Sequence, residues 1–373
     1  MKKTILVTMI HDTSTFSGPV NKYYATIDSL DNFDVDISAT AVNLDPTRLK
    51  NPKRIKTTTI KKRFLISDFL LMWEILRNRS SYVYMPLAFS STFLLLVLAA
   101  KAVGSKVILH MGDPLYLTIK NMQTEVKQRV KLGVLVWLVT GLSKYIEWIL
   151  LDCSDYIFVV SPSMEEDYRK ITNNKKFIKT VFNYVPVRPE GKLDQRFEEI
   201  RKKFKYIFIY FGQIQSQIRS YEKLIDIFSM IKRSDQCLVF LGPDKTRGNF
   251  QKLVAHNRAS DRIFHFEPMP KNRALLHLEK TDYHIIGPSP AYAIPNKFFD
   301  AYQVKLPMLI PDNLEDVKNI FDGLVITYKS EKDLIQKIED IENCKITIPQ
   351  KKIETYAETM ERFFSETLGF EKR

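Results

Sequence analysis

Residues 206–241 read YIFIYFGQIQSQIRSYEKLIDIFSMIKRSDQCLVFL. An apolar run over 206–211 stops at Gly212, a polar stretch follows, and apolar residues then recur at helical spacing over 219–232. A second apolar run fills 237–241 within an expected strand 236–241. Two short apolar runs joined by a helix-period segment are the pattern of parallel strands, buried on both faces and linked by a crossover helix. The alternation continues as helix 246–256, strand 262–266, helix 270–279, strand 283–287, helix 296–304 and strand 307–310. Upstream, strands are expected at 4–10, 33–39, 81–85, 106–110 and 155–160, with helices near 19–30, 65–77, 90–103 and 121–150. Ser161-Pro162 followed by Glu165 and Glu166 reads as a capped helix start, and FIKTVFN after it as a strand. The expectation is α/β, two doubly wound domains built on parallel sheets.

The break between them falls in NYVPVRPEG, residues 183–191, where two prolines and a glycine interrupt all periodicity. This predicts a first domain over 1–185 and a second over 186–350. A last helical pattern, 349–367, leads to a C-terminal segment, 351–373, expected to pack back on the first domain. The 373 residues suffice for two cores, and 45% apolar with 27% charged residues excludes a disordered or low-complexity chain. Cys153, Cys237 and Cys344 are scattered and odd in number, which excludes a disulfide scaffold and fits a reducing, cytoplasmic setting. The opening MKKTILVTMIHD lacks a small-residue cleavage site and reads as a buried strand rather than a leader. Pro86 splits the uncharged 80–100 region, so no membrane span is expected.

The net charge of +13 is concentrated: residues 48–150 hold 17 Lys or Arg against 5 Asp or Glu. Such a surface suits an anionic partner, whether nucleic acid, phosphorylated substrate or membrane, or is a solvated face. Residues 121–150, with Lys127, Arg129 and Lys131 ahead of an apolar stretch holding Trp137 and Trp148, suit either a buried helix or one lying in a bilayer interface.

In open α/β sheets ligands sit beyond the carboxyl ends of the strands, so the loops after strands are the candidates. Gly18 lies between the first strand and first helix, where backbone N–H groups can meet a phosphate. Gly212 and Gln213 end the strand quoted above, and Arg219 opens the next helix, where a guanidinium opposes the helix dipole unless an anion is present. The run GPSPAYAIPNKFFD, residues 287–300, carries Ser289 and Tyr292 in a proline-fixed loop, then Asn296, Lys297 and Asp300 on one helical face. A helix N-terminus and a lysine suit a phosphate, and a carboxylate one turn on suits a ribose diol; a capping Asn and a dipole-complementing Asp would look the same. Asp34-Val35-Asp36 alternates within a strand and reads as a solvent face rather than a metal site.

The runs YFGQIQSQIRSYEKLIDIF, CLVFLGP, DRIFHFEPMPKNRALLHLEKTDYHIIGPSP and IPNKFFDAYQVKLPMLIPD together resemble the C-terminal half of a GT-B glycosyltransferase. They are most similar to glycosyltransferase family 4, the "group 1" transferases, while AAKAVGSKVILHMGDP and SDYIFVVSPSMEEDYRK resemble its N-terminal half. The resemblance implies two Rossmann-like domains facing across a cleft, a nucleotide-sugar donor on the second, an acceptor on the first, and transfer with retention. It implies a glycan or lipid-linked acceptor in cell-surface polysaccharide or glycolipid synthesis, at the inner face of a membrane with an anionic surface.

By position, Gly18 matches the family's N-terminal glycine loop, Gly212 its second-domain glycine, Arg219 its diphosphate-holding cation and Asp300 its ribose acid. Gln213 stands where an arginine is usual, Tyr292 where the first glutamate of the pair is usual. The His-Asp pair aligns on Gly112-Asp113, leaving His110 two residues early; His110 and Asp113 are the catalytic candidates. No metal and no further cofactor is expected. The alternatives are a basic nucleic-acid-binding protein, against which no helix-turn-helix, zinc finger or RNP motif is found, and a GT-B sugar-nucleotide epimerase or non-catalytic relative.

Overall fold

The computed structural model describes residues 3–12, 18–61, 66–87, 93–112, 133–215, 221–287, 294–344, 346–347 and 352–373. The chain divides into two compact units, one of residues 1–185 with 354–373, the other of 186–353.

Unit one is built on a seven-stranded parallel sheet ordered β3-β2-β1-β4-β5-β6-β7. Its strands are β1 (Thr4–Asp12), β2 (Asp36–Val42), β3 (Lys56–Ile60), β4 (Tyr82–Leu87), β5 (Lys106–Met111), β6 (Tyr156–Val159) and β7 (Phe177–Thr180). The helices between them are α1 (Gly18–Leu30), α2 (Ile66–Asn78), α3 (Phe93–Ala102), α4 (Gly133–Cys153) and α5 (Pro162–Ile171). Ser161 caps α5 by accepting from the Met164 N–H, as its sequence position predicts.

In unit one, two strands depart from the sequence reading for identifiable reasons. The alternation FDVDIS predicts β2 from residue 33, but the ladder to β1 begins at Asp36, opposite Thr4. Phe33 instead forms an antiparallel bridge with Lys372, so its extended backbone serves the C-terminal segment. β3 was not expected at all. It is the sheet edge, and only Ile60 of KTTTI is buried, so it leaves no hydrophobic run to read.

The C-terminal segment belongs to unit one. Its helix α13 (Tyr356–Arg362; α6 to α12 lie in unit two) starts later than residue 349 because Thr355 and Glu358 form a reciprocal capping box there. The final residues continue as a π-turn over Phe363–Thr367 and are pinned by Asp34 N–H to Glu371 O at 2.9 Å and by Lys3 Nζ on the Leu368 and Gly369 carbonyls. Phe363, Phe364 and Phe370 enter a core with Phe33, Tyr82 and Phe158.

Unit two carries a six-stranded parallel sheet ordered β10-β9-β8-β11-β12-β13. The strands are β8 (Tyr206–Phe211), β9 (Gln236–Leu241), β10 (Ile263–Phe266), β11 (Tyr283–Ile285), β12 (Met308–Pro311) and β13 (Val325–Tyr328). Its helices are α6 (Gln195–Lys203), α7 (Tyr221–Met230), α8 (Asn249–Ala255), α9 (Lys271–Leu278), α10 (Asn296–Gln303), α11 (Glu315–Ile320) and α12 (Glu331–Glu339). All six residues of β9 are buried, the signature of a strand covered on both faces.

In each sheet the chain runs outward one way, returns, and runs outward the other way. The reversal lies between β1 and β4 in unit one and between β8 and β11 in unit two. A crevice opens at the carboxyl ends of the strands flanking such a reversal. The fold therefore marks Phe211-Gly212-Gln213 and Ile285-Ile286-Gly287 as the ligand-facing ends of unit two.

Candidate functional site

At the end of β8, Gly212 takes φ 131 and its N–H donates to the Leu241 carbonyl at 2.9 Å. Gly242, just past β9, takes φ 144, and a Cβ built there would lie 2.2 Å from the Gly212 oxygen. The two strand ends press backbone to backbone, which only a pair of glycines permits. The chain then resumes pairing through a parallel bridge between Ile214 and Asp244. The Tyr210 hydroxyl donates to the Gln213 carbonyl at 3.0 Å and fixes the turn from below.

Helix α10 brings the charges to this edge. Pro295 occupies its cap position and supplies no side-chain acceptor, so Asn296 is the first helical residue and not the cap. Among the described residues no side chain caps these N–H groups, and the positive end of the helix dipole suits an anion. Lys297 is half-buried, with Nζ 5.0 Å from the centre of the Tyr210 ring, a cation–π contact that ties α10 to the end of β8.

Asp300 is buried, 6% exposed, and its Oδ1 lies 2.8 Å from Lys271 Nζ. Burial raises the Asp300 carboxyl above its ordinary value, and the Lys271 ammonium works against that rise. Lys271 is the first residue of α9, again after a proline. The sequence reading missed it. The available signal was the one that marked Arg219: a cation at a helix N-terminus, mismatched to the dipole, in the loop after a strand.

His284, on β11, is fully buried and neither ring nitrogen has a hydrogen-bond partner among the described residues. Desolvation, and then the nearby Lys297 charge, hold it well below the usual histidine range, so it is neutral.

Unit two thus gathers Gly212, Gln213, Asn296, Lys297 and Asp300 around the reversal point, with Lys271 added. Arg219, Ser289 and Tyr292 lie outside the described residues. In unit one Gly18 opens α1 after β1, and Asp113 lies outside the described residues.

His110, on β5, is 1% exposed. Its Nδ1 is 2.8 Å from the Tyr84 hydroxyl, which is 2.6 Å from the Tyr356 hydroxyl, itself 2.7 Å from Thr26 Oγ1. Thr26 donates to the Lys22 carbonyl at 2.8 Å. That carbonyl can only accept, so each hydroxyl in turn must donate toward it. The order of donation therefore runs from His110 Nδ1–H through Tyr84 and Tyr356 to Thr26, and the imidazole is neutral with Nε2 as a bare acceptor. Nε2 has no partner among the described residues. Burial first, and Lys22 second, keep His110 well below its ordinary value, while burial pushes the Tyr356 hydroxyl up to about 12.

Among the described residues no group of three His, Cys, Asp or Glu is placed to hold a metal ion. No helix among them is long and apolar enough to cross a membrane.

No family model and no curated protein sequence matches the chain. Solved structures match it over nearly its whole length. Sucrose-phosphate synthase from Thermosynechococcus elongatus superposes with TM-score 0.66 at 11% identity, covering 99% of this chain and 96% of that one. HepE from Anabaena, in complex with UDP, superposes with TM-score 0.65 at 11% identity over 98% and 95%. The lipopolysaccharide outer core galactosyltransferase WaaB gives TM-score 0.59 at 13% identity over 97% and 95%. The fold is that of the GT-B glycosyltransferases, with two doubly wound α/β units.

Proposed function

We propose that the chain is a retaining glycosyltransferase that moves a sugar from a nucleotide-sugar donor to an acceptor hydroxyl. The observation that carries the proposal is the grouping of Lys297, the Lys271–Asp300 ion pair and the side-chain-uncapped start of α10 at the reversal point of unit two. A nucleoside diphosphate suits this grouping: its phosphates suit Lys297 and the helix N-terminus, and its ribose diol suits Asp300. The matched HepE structures, one with UDP and another with UDP-glucose, support a nucleotide sugar as the donor class.

In the reaction the bond from the anomeric carbon to the diphosphate oxygen breaks, and its electron pair leaves with the nucleoside diphosphate. Lys297 and the α10 dipole stabilise that charge where it develops. The acceptor oxygen bonds to the anomeric carbon on the same face, and its proton passes to the leaving phosphate. No metal and no protein nucleophile enters. For the sugar the reading keeps His110, whose unpartnered Nε2 is the ring atom left to accept a hydroxyl proton, and Asp113. Gly18, Gly212, Gln213, Arg219, Ser289 and Tyr292 complete the donor set. The acceptor is a glycan or a lipid-linked glycan of cell-surface polysaccharide or glycolipid synthesis, met at the cytoplasmic side of a membrane.

A thermal-shift panel of sugar nucleotides tests the reading. A true donor at a hundredfold excess over its Kd stabilises by about 2.7 kcal/mol, and NMR of the product then reads the anomer. No shift with any nucleoside diphosphate or sugar nucleotide rejects the reading, and an inverted anomer rejects retention.

A further inference from the structure

Helix α2 is inside out. Its sheet-facing positions hold Ser67, Leu71, Glu74 and Ile75, two of them polar. Its water-facing positions hold Ile66, Phe69, Leu70 and Trp73, at i, i+3, i+4 and i+7, with Trp73 61% exposed. An ordinary surface helix places its apolar stripe against the core and its polar residues outward. Here the larger apolar side chains have been left outside.

The neighbours do the same. Helix α2 packs on α3, and α3 on α4. Leu95 and Leu98 are exposed on α3, and Leu142, Tyr145 and Trp148 on α4. Tyr145 and Trp148 stack loosely on each other, ring centres 5.7 Å apart. Nine of the twelve large hydrophobic side chains exposed among the described residues therefore lie on these three adjacent helices. Scattered exposed hydrophobics are normal, whereas a surface concentrated on one set of neighbouring helices marks an interaction site.

The charge around it selects the partner. Arg77 on α2, Lys101 on α3 and Lys144 on α4 are exposed cations of the same helices, and in sequence Lys61, Lys62 and Arg63 precede α2 and Lys127, Arg129 and Lys131 precede α4. Aromatic and aliphatic side chains flanked by lysine and arginine fit the boundary between lipid headgroups and acyl chains. A second protein copy would bring the same positive charge and repel.

We infer that the α2–α3–α4 face of unit one docks on an anionic bilayer surface, with Phe69, Trp73 and Trp148 entering the interface. This deepens the membrane-side reading above but needs no donor, so the two fail separately.

The test is flotation of the full chain, without nucleotide, on phosphatidylcholine vesicles with and without phosphatidylglycerol. Wild type is expected to float with the anionic vesicles only, and to release at high salt. Phe69→Ser combined with Trp73→Ser should lower the partition coefficient by at least about tenfold. The same change at Met230, exposed on unit two, should leave it unaltered. Lys61→Glu with Lys62→Glu is the second variant and should also lower it. Equal partition of wild type and both variants overturns the inference, as does absence of flotation on anionic vesicles. A lipid-free dimer lost in Trp73→Ser overturns it in favour of a second copy.

Discussion

The two sheets are threaded alike, yet they place their buried polar groups to opposite effect. In unit one, His110, Tyr84, Tyr356 and Thr26 form a neutral chain that ends on a backbone carbonyl. Tyr356 lies in the C-terminal segment, so the chain also ties that segment to the sheet. At the reversal point of unit two the grouped polar side chains include charged ones. Asp300 and Lys271 pair, Lys297 rests on Tyr210, and the glycine pair clears the backbone beside them. One topology serves a packed joint in one unit and a charged rim in the other. The difference lies in whether the grouped side chains are neutral or charged.

The largest expected effect is at the glycine pair. Gly242→Ala must place a methyl against the Gly212 carbonyl at φ 144, and should cost about 3–5 kcal/mol in the unfolding of unit two. A normal melting curve would show that the strand ends are not pressed together as described.

Next, the two polar groupings should dissociate under mutation. Tyr84→Phe removes a link of the neutral chain and leaves its neighbours unsatisfied, lowering stability by about 1–3 kcal/mol with nucleotide affinity intact. Asp300→Asn should do the reverse. Burial raises the Asp300 pKa, so the folded chain takes up that proton more readily than the unfolded chain and the charge lowers stability at neutral pH. Its removal should not lower Tm, whereas nucleotide affinity should fall by about tenfold or more. Paired calorimetry and titration of both variants would break the comparison if the effects coincide.

The smallest effect concerns pH. His110 and His284 are held well below the ordinary value near 6.5, so the unfolded chain binds protons that the folded chain refuses. Their contribution to stability is full above that value and is lost as pH falls toward the folded pKa, at up to about 1.4 kcal/mol per pH unit for each ring. His284→Phe should flatten the acid limb of a Tm-against-pH curve, and an unchanged limb would mean that the ring is solvated.

The fold was legible because parallel strands buried on both faces, such as 206–211 and 236–241, carry long apolar runs with few polar positions to blur the pattern. Edge strands were not: β3 buries one residue and leaves no hydrophobic signature, while β13 is four residues long and half of them are only partly buried. At the site, Asn296, Lys297 and Asp300 were legible because their spacing on one helix is a sequence property. Lys271 was not, since its pairing with Asp300 depends on two separate helices meeting. The hydroxyl chain on His110 was equally hidden, because Tyr356 is 246 residues away in the chain. The water-facing stripe of α2 was unreadable too, since periodicity shows an apolar face but not which way it points.

The central claim, that unit two presents a nucleoside-diphosphate site at the β8–β11 reversal, is tested most directly by titrating UDP-glucose into wild type and Lys297→Ala by isothermal calorimetry. A second nucleoside-diphosphate sugar should be run alongside. The account predicts saturable binding to wild type and at least about tenfold weaker binding to the variant. Binding of equal strength to both proteins would contradict it.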